Sequence, residues 1–136
     1  MKEREMKVTF PGGLRVEADY KGFILKTDQP AYEGGEGTAL SPFDLFLASL
    51  GTCAGYYVLA FCRQRKIPTE KAYLVTKTEK NPDSKLIGKI SIEIHLPADF
   101  PEKYKAAVIK AADSCTVKLL IAHPPVFEIE AKIDSV

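Results

Sequence analysis

Residues 41–68 read SPFDLFLASLGTCAGYYVLAFCRQRKIP, and the other segments of the chain are arranged around them. The Ser41 hydroxyl can accept from a backbone N–H of a first helical turn, which makes it an N-cap. Pro42 follows at the first helical position, where its missing N–H costs nothing. Asp44, three residues after Ser41, forms a capping box with Asp in place of Glu. From Leu45 to Phe61 the run is almost wholly apolar. Charge returns only at Arg63, Arg65 and Lys66, where cations suit a helix C-terminus. Pro68 then disfavours helical geometry at Ile67 and stops the element. A helix apolar all round is either a membrane span or the buried middle of a globular domain. A span needs about 20 apolar residues. This run is shorter, and Ala48, Ser49, Gly51, Thr52, Ala54 and Gly55 crowd its middle. The expectation is a buried central helix, not a membrane segment. Its small residues admit the close approach of another segment, and Cys53 stands among them.

The chain has 136 residues, which suits a single domain over 1–136 with a substantial core. A hydrophobic share of 46% and a charged share of 27% are those of an ordinary soluble protein. A net charge of +1 provides no electrostatic footprint for nucleic acid. The opening MKEREMK is charged, so no secretory signal is expected and the expected compartment is cytoplasmic. Three cysteines, an odd number, argue against a structural disulfide framework. In a reducing compartment such cysteines are catalytic, redox-active or plain core. His95 and His123 are too few and too isolated to suggest a zinc site, and no cofactor is expected.

Before the central helix, Met6–Phe10, Leu14–Tyr20 and Phe23–Thr27 read as strands. The second alternates Leu14, Val16, Ala18 and Tyr20 against Arg15, Glu17 and Asp19. Pro11-Gly12-Gly13 and Lys21-Gly22 are the turns, so the N-terminus is a three-stranded meander. Asp28–Leu40 holds Pro30, Gly34, Gly35 and Gly37 and has no periodicity. It is either a plain connection or a flap over a site near the start of the central helix. After the helix, Ala72–Lys80 and Leu86–Leu96 are strands joined by an Asn81-Pro82-Asp83-Ser84 turn. Pro101–Asp113 is an amphipathic helix, Ser114-Cys115-Thr116 a break with a fresh N-cap, and Val117–Ala122 a short helix. Pro124-Pro125 ends it, and Val126–Ile133 alternates as a final strand. The order βββ-α-ββ-α-α-β predicts an α+β fold with an antiparallel or mixed sheet. The central helix is too apolar to leave one face in water, so a tightly packed homodimer is expected.

Cys53 and Cys62 lie nine residues apart. At about 100° per residue they point to roughly opposite sides of one helix and do not pair. Cys62, near the charged helix end, reads as a small core residue. Cys115 stands at the start of a helix, where backbone N–H groups and the helix dipole favour a thiolate. On the residues alone, the pair is as well explained by two buried, inert cysteines.

The central stretch resembles the helix signature of the OsmC/Ohr family, the osmotically induced and organic hydroperoxide resistance proteins. SCTVKLLIAHPPVFEIEAKI, residues 114–133, resembles that family's second cysteine segment and C-terminal strand. The resemblance extends over essentially the whole chain. It implies an intertwined homodimer with sheets wrapped around two central helices. It also implies thiol-dependent reduction of organic hydroperoxides or hydrogen peroxide, with Cys53 as the peroxidatic and Cys115 as the resolving cysteine. An external dithiol, of lipoyl-protein or thioredoxin type, would regenerate the pair, with no metal or flavin. The family also uses an Arg and a carboxylate beside the thiolate. Phe43 stands where the hydroperoxide reductases carry Glu, and Asp44, one place later, is the matching acid. Helix capping is its other reading, and it lies nine residues from Cys53, on the opposite side of a straight helix. Arg15 is the candidate guanidinium, or else a solvated Arg on a strand face.

Three functions compete. The first is a cysteine-based peroxidase acting on a small peroxide. The second is a non-catalytic thiol-bearing dimer that binds a ligand or senses redox state. Phe43, Phe46, Leu47, Tyr56 and Tyr57 would wall a hydrophobic ligand in either case. The third is a structural dimer with inert cysteines.

Overall fold

Period-two alternation and turn glycines build the first part of the chain. The computed structural model describes residues 4–135. Strands β1 (Lys7–Gly12), β2 (Arg15–Tyr20) and β3 (Phe23–Thr27) form an antiparallel meander in the order β1-β2-β3. Tyr20 pairs with Phe23 across a two-residue turn. Lys21 and Gly22 both have positive φ, 52° and 82°. That is the backbone hand which matches the right-handed twist of a hairpin. The N-terminal meander is therefore as the alternation predicts.

Residues 28–40 form an ordered loop. The Asp28 amide donates to the Leu40 carbonyl and closes its ends at 3.2 Å. The buried Asp28 carboxylate accepts from the Gln29 N–H (2.7 Å), the Thr38 N–H (3.1 Å) and the Thr38 hydroxyl (2.6 Å). The Thr38 hydroxyl and amide, with the other amides, outweigh burial and hold the Asp28 carboxyl down at about 2. Gly35 passes so close to Gln29 that a Cβ there would lie 2.0 Å from the Gln29 carbonyl oxygen.

Helix α1 spans Pro42–Gln64. Its start is a reciprocal capping box. The Asp44 N–H donates to Ser41 Oγ at 3.2 Å, and the Ser41 N–H to Asp44 Oδ2 at 3.3 Å. By length and composition α1 is apolar enough to cross a membrane, with a mean hydropathy of 1.7 over its most apolar window. Residues along it nonetheless enter a protein core, as follows.

The chain groups into two compact units, Met1–Ser49 and Leu50–Val136. In the second, β4 (Tyr73–Lys80) and β5 (Ile87–His95) form an antiparallel hairpin with Thr76 opposite Ile92. A 3-10 turn at Glu102–Tyr104 leads into α2 (Lys105–Asp113), and α3 spans Thr116–Ala122. Val58, Phe61 and Cys62 of α1 pack with Val108 of α2, flanked by Leu74, Ile94, Leu96 and Tyr104. The Arg65 guanidinium lies 3.6 Å from the Phe61 ring centroid and caps this cluster from solvent. Gly51 permits a close approach, because a Cβ there would stand 2.8 Å from Thr76 Oγ1 of β4.

One expected element is not formed. Val126–Ile133 carries strand alternation, yet residues 124–135 have no helix or strand. Phe127, Ile129 and Ile133, which would share one face, are 81%, 98% and 101% exposed. A strand is stable only when its backbone groups find a ladder partner. Among the described residues the two sheets hold only β1–β3 and β4–β5.

Candidate functional site

Cys53 projects from the middle of α1, half-buried, between Thr52 and Ala54. Cys115 is buried and occupies the N-cap of α3, where the chain breaks after α2. Ser114 closes α2 by donating its N–H to the Ala111 carbonyl at 3.1 Å, and the Leu119 N–H bonds the Cys115 carbonyl at 3.0 Å. An N-cap position favours Ser, Thr, Asp or Asn, whose oxygen would satisfy the first-turn amides. The Cys115 side chain makes no capping bond to its own helix. Its thiol turns to Cys53 instead, and the amides it leaves uncapped turn there too.

The start of α3 sets the chemistry of the Cys53 sulfur. Partial burial pushes its thiol up, as loss of water disfavours a thiolate. The Val117 N–H, the Cys115 thiol, and the Thr116 N–H and hydroxyl act against this, and on balance the Cys53 thiol lies below an ordinary cysteine. Both cysteines are free thiols, and the Cys115 thiol is one of the groups that lower the Cys53 thiol, so this unit holds a candidate dithiol site. Beyond it, the Tyr57 hydroxyl lies 3.1 Å from Thr116 Oγ1.

Cys115 also forms part of the wall of a cavity of about 610 Å³. Ile90, Ile92 and Ile94 of β5, Ile109 of α2 and Ile121 of α3 make that wall mostly apolar, with Lys110 and Lys118 as its cationic members.

The remaining sequence candidates are placed differently. Cys62 is buried in the core cluster and its thiol is pushed up by burial, only partly offset by the Arg65 charge. Arg15 and Asp44 belong to the Met1–Ser49 unit. Arg15 Nε donates to the Gly12 carbonyl at 3.2 Å, folding the side chain back onto its own hairpin, while Asp44 completes the capping box. His95 stacks on Tyr73 with centroids 4.5 Å apart and bonds Glu93 through Nε2 at 3.2 Å. His123 donates from Nδ1 to the Leu119 carbonyl at 3.3 Å. Among the described residues no three His, Cys, Asp or Glu side chains converge to hold a metal ion.

Sequence reasoning missed Thr116 and the Tyr57 hydroxyl. In the sequence Tyr57 reads as an apolar wall and Thr116 as part of a helix break. One signal was present: Tyr57 follows Cys53 by four residues, so the two share a helix face.

An α+β chain that brings a mid-helix thiol against an N-cap thiol is, by class, a dithiol protein. Its residues 35–130 match the family described as OsmC-like protein, and the chain belongs to that family. Solved structures agree on the fold. A Psychrobacter arcticus 273-4 protein, named for osmotic stress induction and a detoxification response, superposes with a TM-score of 0.72 at 24% identity, over 86% of this chain and 87% of that one. An OsmC-like protein from Mycoplasma pneumoniae gives 0.69 at 12% identity, over 90% and 89%. An organic hydroperoxide resistance protein from Legionella pneumophila, described also as a regulator of sulfide bond formation, gives 0.56 at 22% identity, over 89% and 90%. None of the curated proteins matches the chain in sequence.

Proposed function

We propose that this chain reduces hydroperoxides through a two-cysteine cycle, with Cys53 peroxidatic and Cys115 resolving. The observation that carries the reading is the Cys53 thiol, placed at the start of α3 and brought below an ordinary cysteine by the Cys115 thiol, two backbone amides and the Thr116 hydroxyl. A thiolate is the nucleophile in such chemistry, and groups that favour the negative charge favour it over the thiol. The Cys53 thiolate attacks the terminal oxygen of ROOH. A sulfur–oxygen bond forms, the O–O bond breaks, and RO⁻ takes a proton and leaves as ROH. Cys53 is then a sulfenic acid. The Cys115 thiol attacks that sulfur, the disulfide forms, and water leaves. An external dithiol reduces the disulfide by exchange and is itself oxidised. The names of solved neighbours such as the Legionella pneumophila hydroperoxide resistance protein support the same chemistry. The apolar cavity beside Cys115 suits an organic peroxide better than a small polar one.

A second reading is a thiol sensor without turnover. It is favoured by the local bonds that occupy Arg15 and Asp44, at Gly12 and Ser41. Peroxide consumption with a simple dithiol decides between the two. The peroxidase reading expects sustained turnover that Cys53→Ser abolishes, and a Cys53–Cys115 cross-link after mild peroxide that dithiol removes. A single equivalent consumed per chain supports the sensor. We propose also that the working form is a homodimer, supported by the bare apolar face of residues 126–133.

A further inference from the structure

We propose that the cavity beside Cys115 is an effector site for a monocarboxylate with an apolar chain, and that the bound chain covers Cys115. The binding rests on the cavity alone. Only its consequence for the resolving step rests on the two-cysteine reading above.

Three elements of the Leu50–Val136 unit build the site. Ile90, Ile92 and Ile94 alternate along β5, so their side chains share the face turned to the cavity. Over those residues the strand advances about 14 Å, which makes this wall an elongated apolar strip. Ile109 of α2 and Ile121 of α3 add to it, and both are exposed, as is Ile90. Ala106 and Ala112 of α2 carry only a methyl group, which leaves the space of about 610 Å³ open. That is the size of a small-molecule site. A strip of this shape suits a chain better than a compact body, and seating one removes apolar surface from water.

The charged members select the head group. They are Lys110, Asp113 and Lys118. Lys118 pairs with Asp113, so those two charges cancel. Lys110 takes part in none of the ion pairs among the described residues. One net positive charge beside an apolar strip complements a monoanion better than a dianion such as a phosphate monoester. A carboxylate is that monoanion at neutral pH. Cys115 lines the same cavity, so a chain seated on the isoleucines lies against its sulfur and bars other reagents from it. On the two-cysteine reading, occupancy delays resolution of the Cys53 sulfenic acid.

Isothermal titration of the full, reduced chain with decanoate, below its micelle concentration, tests the binding. Saturable one-to-one binding is expected. Hexanoate is expected to bind more than about tenfold more weakly, because four fewer CH₂ groups leave water. Lys110→Met keeps the apolar stem and removes the charge. It is expected to weaken decanoate binding about threefold to fivefold, the scale of an exposed ion pair, and Lys110→Arg to restore it. Absence of saturable binding overturns the proposal, as does a Lys110→Met affinity equal to wild type. Decanol or decyl phosphate binding as tightly as decanoate overturns the carboxylate assignment. Coverage is read as iodoacetamide alkylation of the Cys115 peptide by mass spectrometry. Saturating decanoate is expected to slow it severalfold, and an unchanged rate overturns that part. Peroxide turnover without decanoate binding removes the effector site and leaves the peroxidase. Decanoate binding without turnover does the reverse.

Discussion

Two of the three cysteines are separated from the third by what surrounds each sulfur. Cys53 is ringed by donors and Cys62 by apolar side chains. Burial holds the Cys62 proton on, so its nucleophilicity is low and its role is packing. Cys62→Ala is therefore expected to keep full thiol reactivity at Cys53 and to lose about 1 kcal/mol of stability, the usual cost of one deleted core atom. Denaturant unfolding and alkylation rates check both halves. If that variant is as unreactive as Cys53→Ser, the assignment of roles is wrong. Asp28 makes a pH-dependent counterpart in the first unit. Its folded-state carboxyl titrates at about 2 against an ordinary value of 3.8. A lowered folded pKa contributes stability that is complete above the unfolded value and fades as pH falls toward the folded one. The Asp28 contribution is thus lost between about pH 4 and pH 2. Asp28→Asn should remove that segment of the acid-stability curve while leaving the Cys53 alkylation midpoint in place, as pH-dependent thermal melts will show.

The 28–40 loop and the start of α1 are the elements whose shape depends on single backbone positions. In the loop, the Gly37 N–H reaches the Gln29 carbonyl at 3.0 Å and the Gly35 N–H reaches that of Pro30 at 3.1 Å. Those bonds draw Gly35 against the Gln29 carbonyl so tightly that any side chain must push the strands of the loop apart. Gly35→Ala is expected to cost about 3 kcal/mol, at the upper end for overpacking, because the atom it meets is backbone and cannot rotate away. Amide exchange should quicken at Thr38 and Asp28 and leave β4 and β5 unaltered. Unchanged protection at Thr38 would show that the loop relaxes around a methyl group.

At the scale of the whole molecule, the question is what covers residues 126–133. Phe127, Ile129, Ala131 and Ile133 alternate with Glu128, Glu130 and Lys132, a strand pattern with one apolar face and one charged face. Tyr56 and Leu59 on α1 and Leu119, Leu120 and Ile121 on α3 are exposed as well. Apolar surface on this scale marks a protein interface. In the proposed homodimer a second copy would supply both a strand edge and a complementary apolar face, and closed twofold pairing would let each copy serve the other. Sedimentation at micromolar concentration should give a dimer, and a chain ending at Pro125 should dissociate or aggregate. A stable, compact monomer from the full chain would refute the proposal.

Most of the fold was legible because most of it is local. The meander, the β4–β5 hairpin and the three helices follow from alternation, capping residues and turn chemistry, each written within a dozen residues. Ser41 and Asp44 announced the start of α1, and both make the expected bonds. The family was legible in the contexts of Cys53 and Cys115. What sequence order cannot carry is which distant groups meet. Asp28 reads as the first residue of a loop, and only folding brings Thr38 onto its carboxylate. Val126–Ile133 reads as a strand, yet pairing is a property of two segments, and among the described residues no second segment pairs with it. The sequence by itself determined the three helices, the first five strands, their order and the two thiols. The tertiary structure decided that the start of α3, with Cys115 and Thr116, comes to the Cys53–Tyr57 side of α1, because polar groups act on one another over a few ångströms and only packing α3 against α1 brings residues so far apart in sequence within that reach.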